Sequence, residues 1–400
     1  MKIVKAEDGT SYLIPFILVT LLFFLWGFAH SFLDILNRHF QEILVITKAR
    51  SGLIQSVVYG GYFLMALPAG RFIRCFGYQK SVVLGLLLYA VGALLFIPGA
   101  GMMSFPFFLL CLFIIGCGLT FLETSANPYV TVLGDPEFAA SRLNLAQSFN
   151  GLGWIVGPLV GGLIVFGRGG SIALPYAVVG FCVLAVAVLF SRIKLPKIAE
   201  RQADEENKDL FVERLPLFKR SHFVFGVIAL FFYVAAQTGI NSFFINFVIE
   251  SDPLVSNHTA ALMLSFGGMG LFMLGRMAGS HLMRTVPAEK LLLFCAAAAA
   301  VCMAVVFAGA GRLSVYALML CYLFESIMFP TIFSLSIRGL GALTPQGSSW
   351  LIMSIVGGAV APVLMGLLGE AEMKNGFVVP LFCFFIIIVY AFSLLKKKQK

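Results

Sequence analysis

The sequence predicts an all-α membrane protein, with twelve transmembrane helices arranged in two six-helix bundles. Three observations predict it. The 400 residues are 60% hydrophobic and 12% charged, with a mean hydropathy of +0.96, whereas soluble domains carry roughly 25% charged residues. Apolar runs of about 20 residues recur from end to end, each long enough to cross a hydrocarbon core of roughly 30 Å. One long charged segment, residues 193–221, interrupts this rhythm and divides the chain into near-equal parts.

The apolar runs are 12–36, 51–72, 81–99, 104–134, 141–167, 173–192, 222–249, 258–284, 289–310, 314–341, 345–370 and 376–395. Hydrocarbon offers no partner to a backbone N–H or C=O, so each run must be a helix. The alternation of a membrane β-strand, about ten residues long, is absent. The first run contains Asp34, and no small-residue cleavage site follows Lys2 and Lys5, so it reads as a retained span and not as a signal peptide. Short loops make successive helices antiparallel neighbours. The chain then divides into an N-terminal bundle (1–192), a cytoplasmic linker (193–221) and a C-terminal bundle (222–400), the expected form of a parallel-repeat transporter.

A net charge of +9 could suggest a nucleic-acid partner, but its distribution argues otherwise. With both termini in the cytoplasm, 21 Lys and Arg fall on the inner side, 6 on the outer side, and Arg276 within a span. That is the positive-inside bias of a multi-pass membrane protein, expected in a bacterial inner membrane, so the basic charge is a signal of topology. The eight cysteines lie mostly within spans and form no CxxC pair, so they read as packing residues, with neither metal nor cofactor expected.

The two halves echo each other. Residues 123–128 read ETSANP and residues 325–330 read ESIMFP, both Glu-x4-Pro in the fourth span of their half. Ala69-Gly70 ends the second span before Arg74, and Ala278-Gly279 ends the eighth before Arg284. Coincidence at the same span number supports an internal duplication.

Only Asp34, Glu123 and Glu325 are acidic residues well inside spans. At a helix centre an acid costs roughly 2.5–3.5 kcal/mol or more, so each needs a cavity, a partner or a proton. Asp34 shares a helix face with Trp26 and His30, four residues apart each. That stripe suits a sugar, whose hydroxyls need polar partners and whose C–H faces suit an indole. The competing reading makes Trp26 an interfacial anchor, Asp34 a solvated helix end and His30 an interior histidine. Glu123 has Asn127 one turn on and Pro128 behind it; a proline frees a backbone carbonyl, usually beside a cavity. Glu123 is therefore either a proton carrier or a neutral acid tying helices together. The fifth span offers Asn144, Gln147, Asn150 and Trp154, and the seventh Tyr233, Gln237 and Asn241. Interhelical glue explains either stripe alone, whereas one stripe per half points to a polar central cavity. Glu325, with Tyr322 and Phe329, is open between a ligand or proton site and a buried acid paired with Arg276.

At these residues the chain resembles a known family. FFLWGFAHSFLDILNRHFQ, GLIQSVVYGGYFLMALPAG, FLETSANPYVTVLG, RLNLAQSFNGLGWIVGP and MFPTIFSLSIRGLG look like the fucose:proton symporter family of the major facilitator superfamily, across both halves. The resemblance implies a twelve-span, two-bundle carrier that takes up fucose, glucose, galactose or a related sugar with a cation, usually a proton. It assigns proton coupling to Asp34 and Glu123, and sugar contacts to Gln147 and Asn150. His30, Asn241 and Glu325 depart from the Asn, Trp and Met of the family's type member, which places fucose itself in question.

The function expected is thus proton-coupled import of a monosaccharide by a monomeric carrier in contact with membrane lipid. The candidate sugar-site residues are Trp26, His30, Asn127, Gln147, Asn150, Gln237, Asn241 and Glu325. Sodium coupling, a multidrug/proton antiporter and a non-transporting sugar sensor are the alternatives. An antiporter's cavity should be rich in Met and aromatics with few amides, and a sensor usually appends a soluble output domain. An enzyme is not expected, since no phosphate loop, metal cluster or nucleophile–base pair is present.

Overall fold

Burial of backbone polar groups leaves helix as the economical choice throughout, and the structure follows it. The computed structural model describes residues 12–43, 48–102, 104–167, 173–192 and 217–398. Of these, 29–43, 48–56, 157–167, 173, 175, 257, 258, 261, 397 and 398 are described by backbone alone. Among the described residues every regular element is helical. In chain order they are α1 (Leu13–Ile43), α2 (Lys48–Leu94), α3 (Phe96–Met102), α4 (Phe105–Val132), α5 (Ala139–Gly167) and α6 (Ala173–Arg192). After residue 216 follow α7 (Ser221–Ser251), α8 (Asn257–Leu262), α9 (Met269–Leu282), α10 (Ala288–Ala308), α11 (Arg312–Glu325) and α12 (Met328–Ile337). The last are α13 (Thr344–Met353), α14 (Gly357–Leu368), α15 (Met373–Gly376) and α16 (Val378–Lys398). The expected linker 193–221 falls mostly outside the described residues; its last part is a 3₁₀ turn, Leu217–Lys219, leading into α7.

The helix ends lie close to the ends of the apolar runs, and local chemistry explains several of them. Ser256 caps α8 by accepting a hydrogen bond from the Thr259 amide at 3.1 Å. At its far end α10 stops at Gly309, whose left-handed backbone (φ 69°) terminates helices. Elsewhere the runs are interrupted. Runs two and three are continuous in α2 except at Gly77, where φ 82° and ψ 169° turn the chain. Between α8 and α9 lies a π-helical stretch, Met263–Gly268. The tenth run breaks at Ser326–Ile327, between α11 and α12. Pro330 has no N–H to give the Ser326 carbonyl, and Arg276 Nε takes that carbonyl instead, at 2.7 Å.

Seven stretches among the described residues are long and apolar enough to cross a membrane, and Leu13–Phe28 and Tyr176–Arg192 are shorter apolar helices. Large apolar side chains stand outward: Phe181 is 60% exposed, Phe294 63% and Leu367 68%. In water such a surface would aggregate, whereas lipid tails solvate it. The chain is a membrane protein.

Within residues 12–192, α1 packs on α5 and α2 packs on α4 and α6; after residue 216, α7 packs on α14 and α16, and α10 on α11 and α16. The most extensive contacts between these groups are α5 against α9 and α2 against α13, with α12 also meeting α5. Along the first, Ser141 and Ser280 exchange hydrogen bonds, each hydroxyl donating to the other's carbonyl at 2.7 and 2.8 Å. Asn144 Nδ2 donates to Thr331 Oγ1 of α12 at 3.2 Å. Along the second, Gly70 lies directly on Ser349, with Pro345 O 2.7 Å from where a Cβ would sit. The second Ala-Gly pair packs within the later group instead, Gly279 lying against Ile327.

Overpacking of this kind costs about 1–3 kcal/mol, equivalent to roughly 5- to 150-fold in a two-state equilibrium. Gly70→Ala is therefore expected to shift the population away from the closed seam, read as longer spin-label distances between α2 and α13. Gly60→Ala, where nothing lies within 4 Å of the added Cβ, should leave those distances unchanged. Equal distances in Gly70→Ala and the parent chain would contradict the reading.

Arg142, one of the charges counted on the inner side, sits in the first turn of α5 with no exposed surface. Its guanidinium is bound by carbonyls of the preceding turn, as described below, so it marks structure and not only topology.

Candidate functional site

Polar side chains in a hydrocarbon-embedded protein gather where they can satisfy one another, and here they form a chain across the seam. It begins at α2, where Tyr62 donates its hydroxyl hydrogen to Glu123 Oε1 at 2.7 Å. Glu123 lies on α4, in the stretch 115–131 that is buried almost throughout. Its second oxygen, Oε2, is buried with no hydrogen-bond partner among the described residues. One turn on, Asn127 Oδ1 accepts from Gln147 Nε2 of α5 at 3.0 Å, and Asn127 Nδ2 is likewise buried and unpartnered. Glu123 Oε2 and Asn127 Nδ2 are therefore neighbouring polar groups on one face of α4 with hydrogen-bonding capacity to spare.

The backbone of Gln147 carries the chain across. Its carbonyl accepts from Arg276 Nη1 of α9 at 2.9 Å, and the Arg276 guanidinium stacks 4.5 Å from the Phe272 ring. Arg276 also holds the Ser326 carbonyl, next to Glu325 at the end of α11. One turn back, Tyr322 donates to Asn241 Oδ1 of α7 at 2.7 Å. Six helices thus contribute to one polar path: α2, α4, α5, α9, α11 and α7.

The sequence-predicted residues distribute unevenly over this path. Glu123, Asn127, Gln147, Asn241 and Glu325 lie on it. Asn150 is partly buried and spends its Nδ2 on the Phe23 carbonyl of α1 at 3.1 Å, clamping α1 to α5. Trp26 is half-buried beside Phe23, with ring centroids 5.9 Å apart. Gln237 is partly exposed on α7. The side chains of His30 and Asp34 lie outside the described residues. Tyr62 and Arg276 are the principal participants that sequence reasoning did not select as site residues. Arg276 carried a signal, as the one base within a span. Tyr62 carried none beyond its place in the second span, because a partner on a different helix leaves no local period.

Residues 15–350 match the family model described as Major Facilitator Superfamily. The chain belongs to the major facilitator superfamily. Among its major facilitator relatives, the L-fucose-proton symporter of Escherichia coli K12 is 37% identical over 414 residues, spanning 96% of this chain and 94% of that protein. The glucose/galactose transporter of Brucella abortus (strain 9-941) is also 37% identical, over 385 residues, spanning 93% of this chain and 92% of that protein. The crystal structure of the major facilitator transporter FucP in the outward conformation superposes with a TM-score of 0.83, at 35% identity and 95% and 98% coverage of the two chains. The resemblance to the fucose:proton symporters read from the motifs is thus confirmed over nearly the whole length. Relatives of this kind are transporters and not enzymes.

Proposed function

We propose that this major facilitator protein is a secondary transporter that imports a monosaccharide, L-fucose or a hexose such as galactose or glucose, together with a proton. Twelve membrane crossings, with bundles 1–192 and 222–400 joined by the linker 193–221, are part of this reading. The near-coincidence of helix ends with twelve apolar runs supports it, as does the pairing of α2 with α13 and of α5 with α9, which are equivalent contacts under a duplication. The positive-inside bias of the sequence places both termini in the cytoplasm. The closed seam at Gly70, Ser141, Ser280 and Ser349 is then the cytoplasmic gate of an alternating-access carrier.

One observation carries the chemical part: Glu123 Oε2 and Asn127 Nδ2, buried and unpartnered, beside the Tyr62 contact at 2.7 Å. Tyr62 fixes one carboxyl oxygen. The other is left to hold a proton and donate it to a sugar hydroxyl, while Asn127 donates to a second hydroxyl. Neutralising the buried acid lowers the cost of closing it away from water, so the loaded carrier reorients, whereas a carrier holding sugar beside the ionised acid does not. Linkage then makes proton and sugar affinities rise together. Asp34 and Glu123 together carry a single proton in this reading. Trp26, His30, Gln147, Asn150, Gln237 and Asn241 line the sugar path, Trp26 offering an indole face to the C–H groups of the ring.

The test is counterflow uptake in membrane vesicles with a panel of labelled sugars, with and without an imposed pH gradient. Saturable uptake of one or a few monosaccharides, accelerated by an acid exterior, is expected; indifference to every sugar would overturn the reading. Selectivity should respond to position 241. Asn241→Trp removes the acceptor of the Tyr322 hydroxyl and fills the space with an indole. Since a pocket contact discriminates substrates by about 1–3 kcal/mol, the ratio of galactose to fucose uptake should change by about tenfold or more. An unchanged ratio would remove Asn241 from the ligand path.

A further inference from the structure

We propose that Glu325 is a second proton-carrying carboxyl of this carrier, and that its proton leaves when Arg276 loses the Gln147 carbonyl as α5 and α9 separate. The proposal deepens the symport reading and rests on it for its transport readout.

Glu325 has no exposed surface, and neither carboxyl oxygen has a hydrogen-bond partner among the described residues. The titratable groups facing it are Arg276 of α9, Tyr233 of α7, and Cys321 and Tyr322 of its own helix. Cys302 of α10 lies against Cys321. The Tyr322 hydroxyl is committed to Asn241, and the Tyr233 hydroxyl lies against the Arg276 guanidinium. Arg276 is the natural counter-ion, yet in this state it donates to two backbone carbonyls, Ser326 O at 2.7 Å and Gln147 O at 2.9 Å, and also meets the Tyr233 hydroxyl. Both carbonyls have reasons to be where they are. The first is freed by Pro330, and the second reaches Arg276 only because the seam is closed.

The consequence is a partner exchange. An ionised carboxylate buried without a hydrogen bond is strongly disfavoured, so with the seam closed Glu325 holds its proton, and Arg276 is solvated by carbonyl dipoles. Separation of α5 from α9 carries the Gln147 carbonyl away and leaves a buried guanidinium N–H without an acceptor. Glu325 adjoins Ser326, which Arg276 already grips. Its O–H bond breaks, the proton passes to water entering between the helices, and the carboxylate pairs with Arg276. The pair goes from a net charge of +1 to zero with one proton released, so charge balances. Release occurs on the side the seam opens to, which is the direction import requires. Glu123 and Glu325 stand at corresponding places, each five residues before a proline.

The deciding experiment reconstitutes the full chain in liposomes and measures the sugar gradient that just halts flow against an imposed pH gradient. Two protons per sugar are expected for the parent chain and one for Glu325→Gln, with accumulation per pH unit falling about tenfold, one proton's share. Glu325→Met serves if the glutamine variant does not fold. A ratio of one in the parent chain that Glu325→Gln leaves unchanged would overturn the proposal. So would an unchanged ratio with a raised KM, which would make Glu325 a sugar ligand. Infrared difference spectra of purified protein, parent minus Glu325→Gln, decide the matter without transport. A protonated-carboxyl band at neutral pH is expected, and carboxylate bands alone would overturn the proposal. If the parent chain moves no sugar, the symport reading fails, while the infrared result still judges Glu325.

Discussion

Glu123→Gln is expected to lower proton-driven sugar accumulation by about tenfold for each pH unit of imposed gradient, while equilibrium exchange of sugar persists. The size follows from energetics. One pH unit stores about 1.4 kcal/mol per proton, and that amount sustains about tenfold accumulation. The physical reason for the split lies in the Tyr62 contact. Glutamine keeps an oxygen to accept the Tyr62 hydroxyl, now 2.7 Å from Glu123 Oε1, and keeps an N–H donor where the protonated acid has its O–H. It thus imitates the protonated state permanently, so loaded carrier still reorients but no proton is carried by this site. Accumulation and exchange are measured side by side in the same vesicles. Undiminished accumulation in Glu123→Gln would remove Glu123 from the coupling role.

Arg142→Ala should be the most damaging substitution for folding. Arg142 is fully buried, with Nε donating to Val130 O at 3.2 Å, Nη1 to Asp135 O at 2.6 Å, and Nη2 to Thr131 O at 2.5 Å and Gly134 O at 3.4 Å. The carbonyls of the last turn of α4, which ends at Val132, have no helical N–H to bond. A cation at a helix C-terminus is also favoured by the helix dipole. Deleting the side chain removes all four bonds at once, although the Val130 and Asp135 carbonyls keep the Leu133 and Phe138 amides, a loss of about 3–5 kcal/mol by analogy with breaking a buried charged network. Arg142→Lys should recover only part of it, since one ammonium cannot reproduce the forked geometry. Thermal unfolding in detergent, followed by size-exclusion chromatography, would show the ordering: parent chain, then lysine, then alanine. A midpoint for alanine equal to the parent's would contradict the account.

These two residues also show what was legible in the sequence. Glu123 announced itself because an acid in an apolar run is costly and therefore conspicuous. Its Asn127 neighbour followed from helical spacing, and both lie on the polar path. Arg142 counts in the sequence only as one more inner-side charge at the start of the fifth run; the turn from α4 to α5 shows that it folds back onto carbonyls. The ends of helices such as α6 and α7 were readable because lipid imposes length and polarity on each run. The interruptions at Gly77 and at Ser326–Ile327 were less so. A glycine or a proline permits a break, but the Arg276 contact to Ser326 O stabilises it, and that contact joins residues fifty apart. Asn144 makes the same point. It looked like one member of a cavity stripe, and instead bonds Thr331 across the seam. Asn150 shares that stripe, and the structure shows its amide holding α1.

The central claim, that a proton enters with the sugar through this polar path, has a direct test. Lightly buffered vesicles containing the full chain are given a saturating pulse of the sugar that counterflow identifies, and the external pH is recorded. The account predicts a transient external alkalinisation with the parent chain, smaller in Glu123→Gln at matched carrier density, and none with a sugar that is not transported. Sugar uptake with no pH change in the parent chain would contradict it.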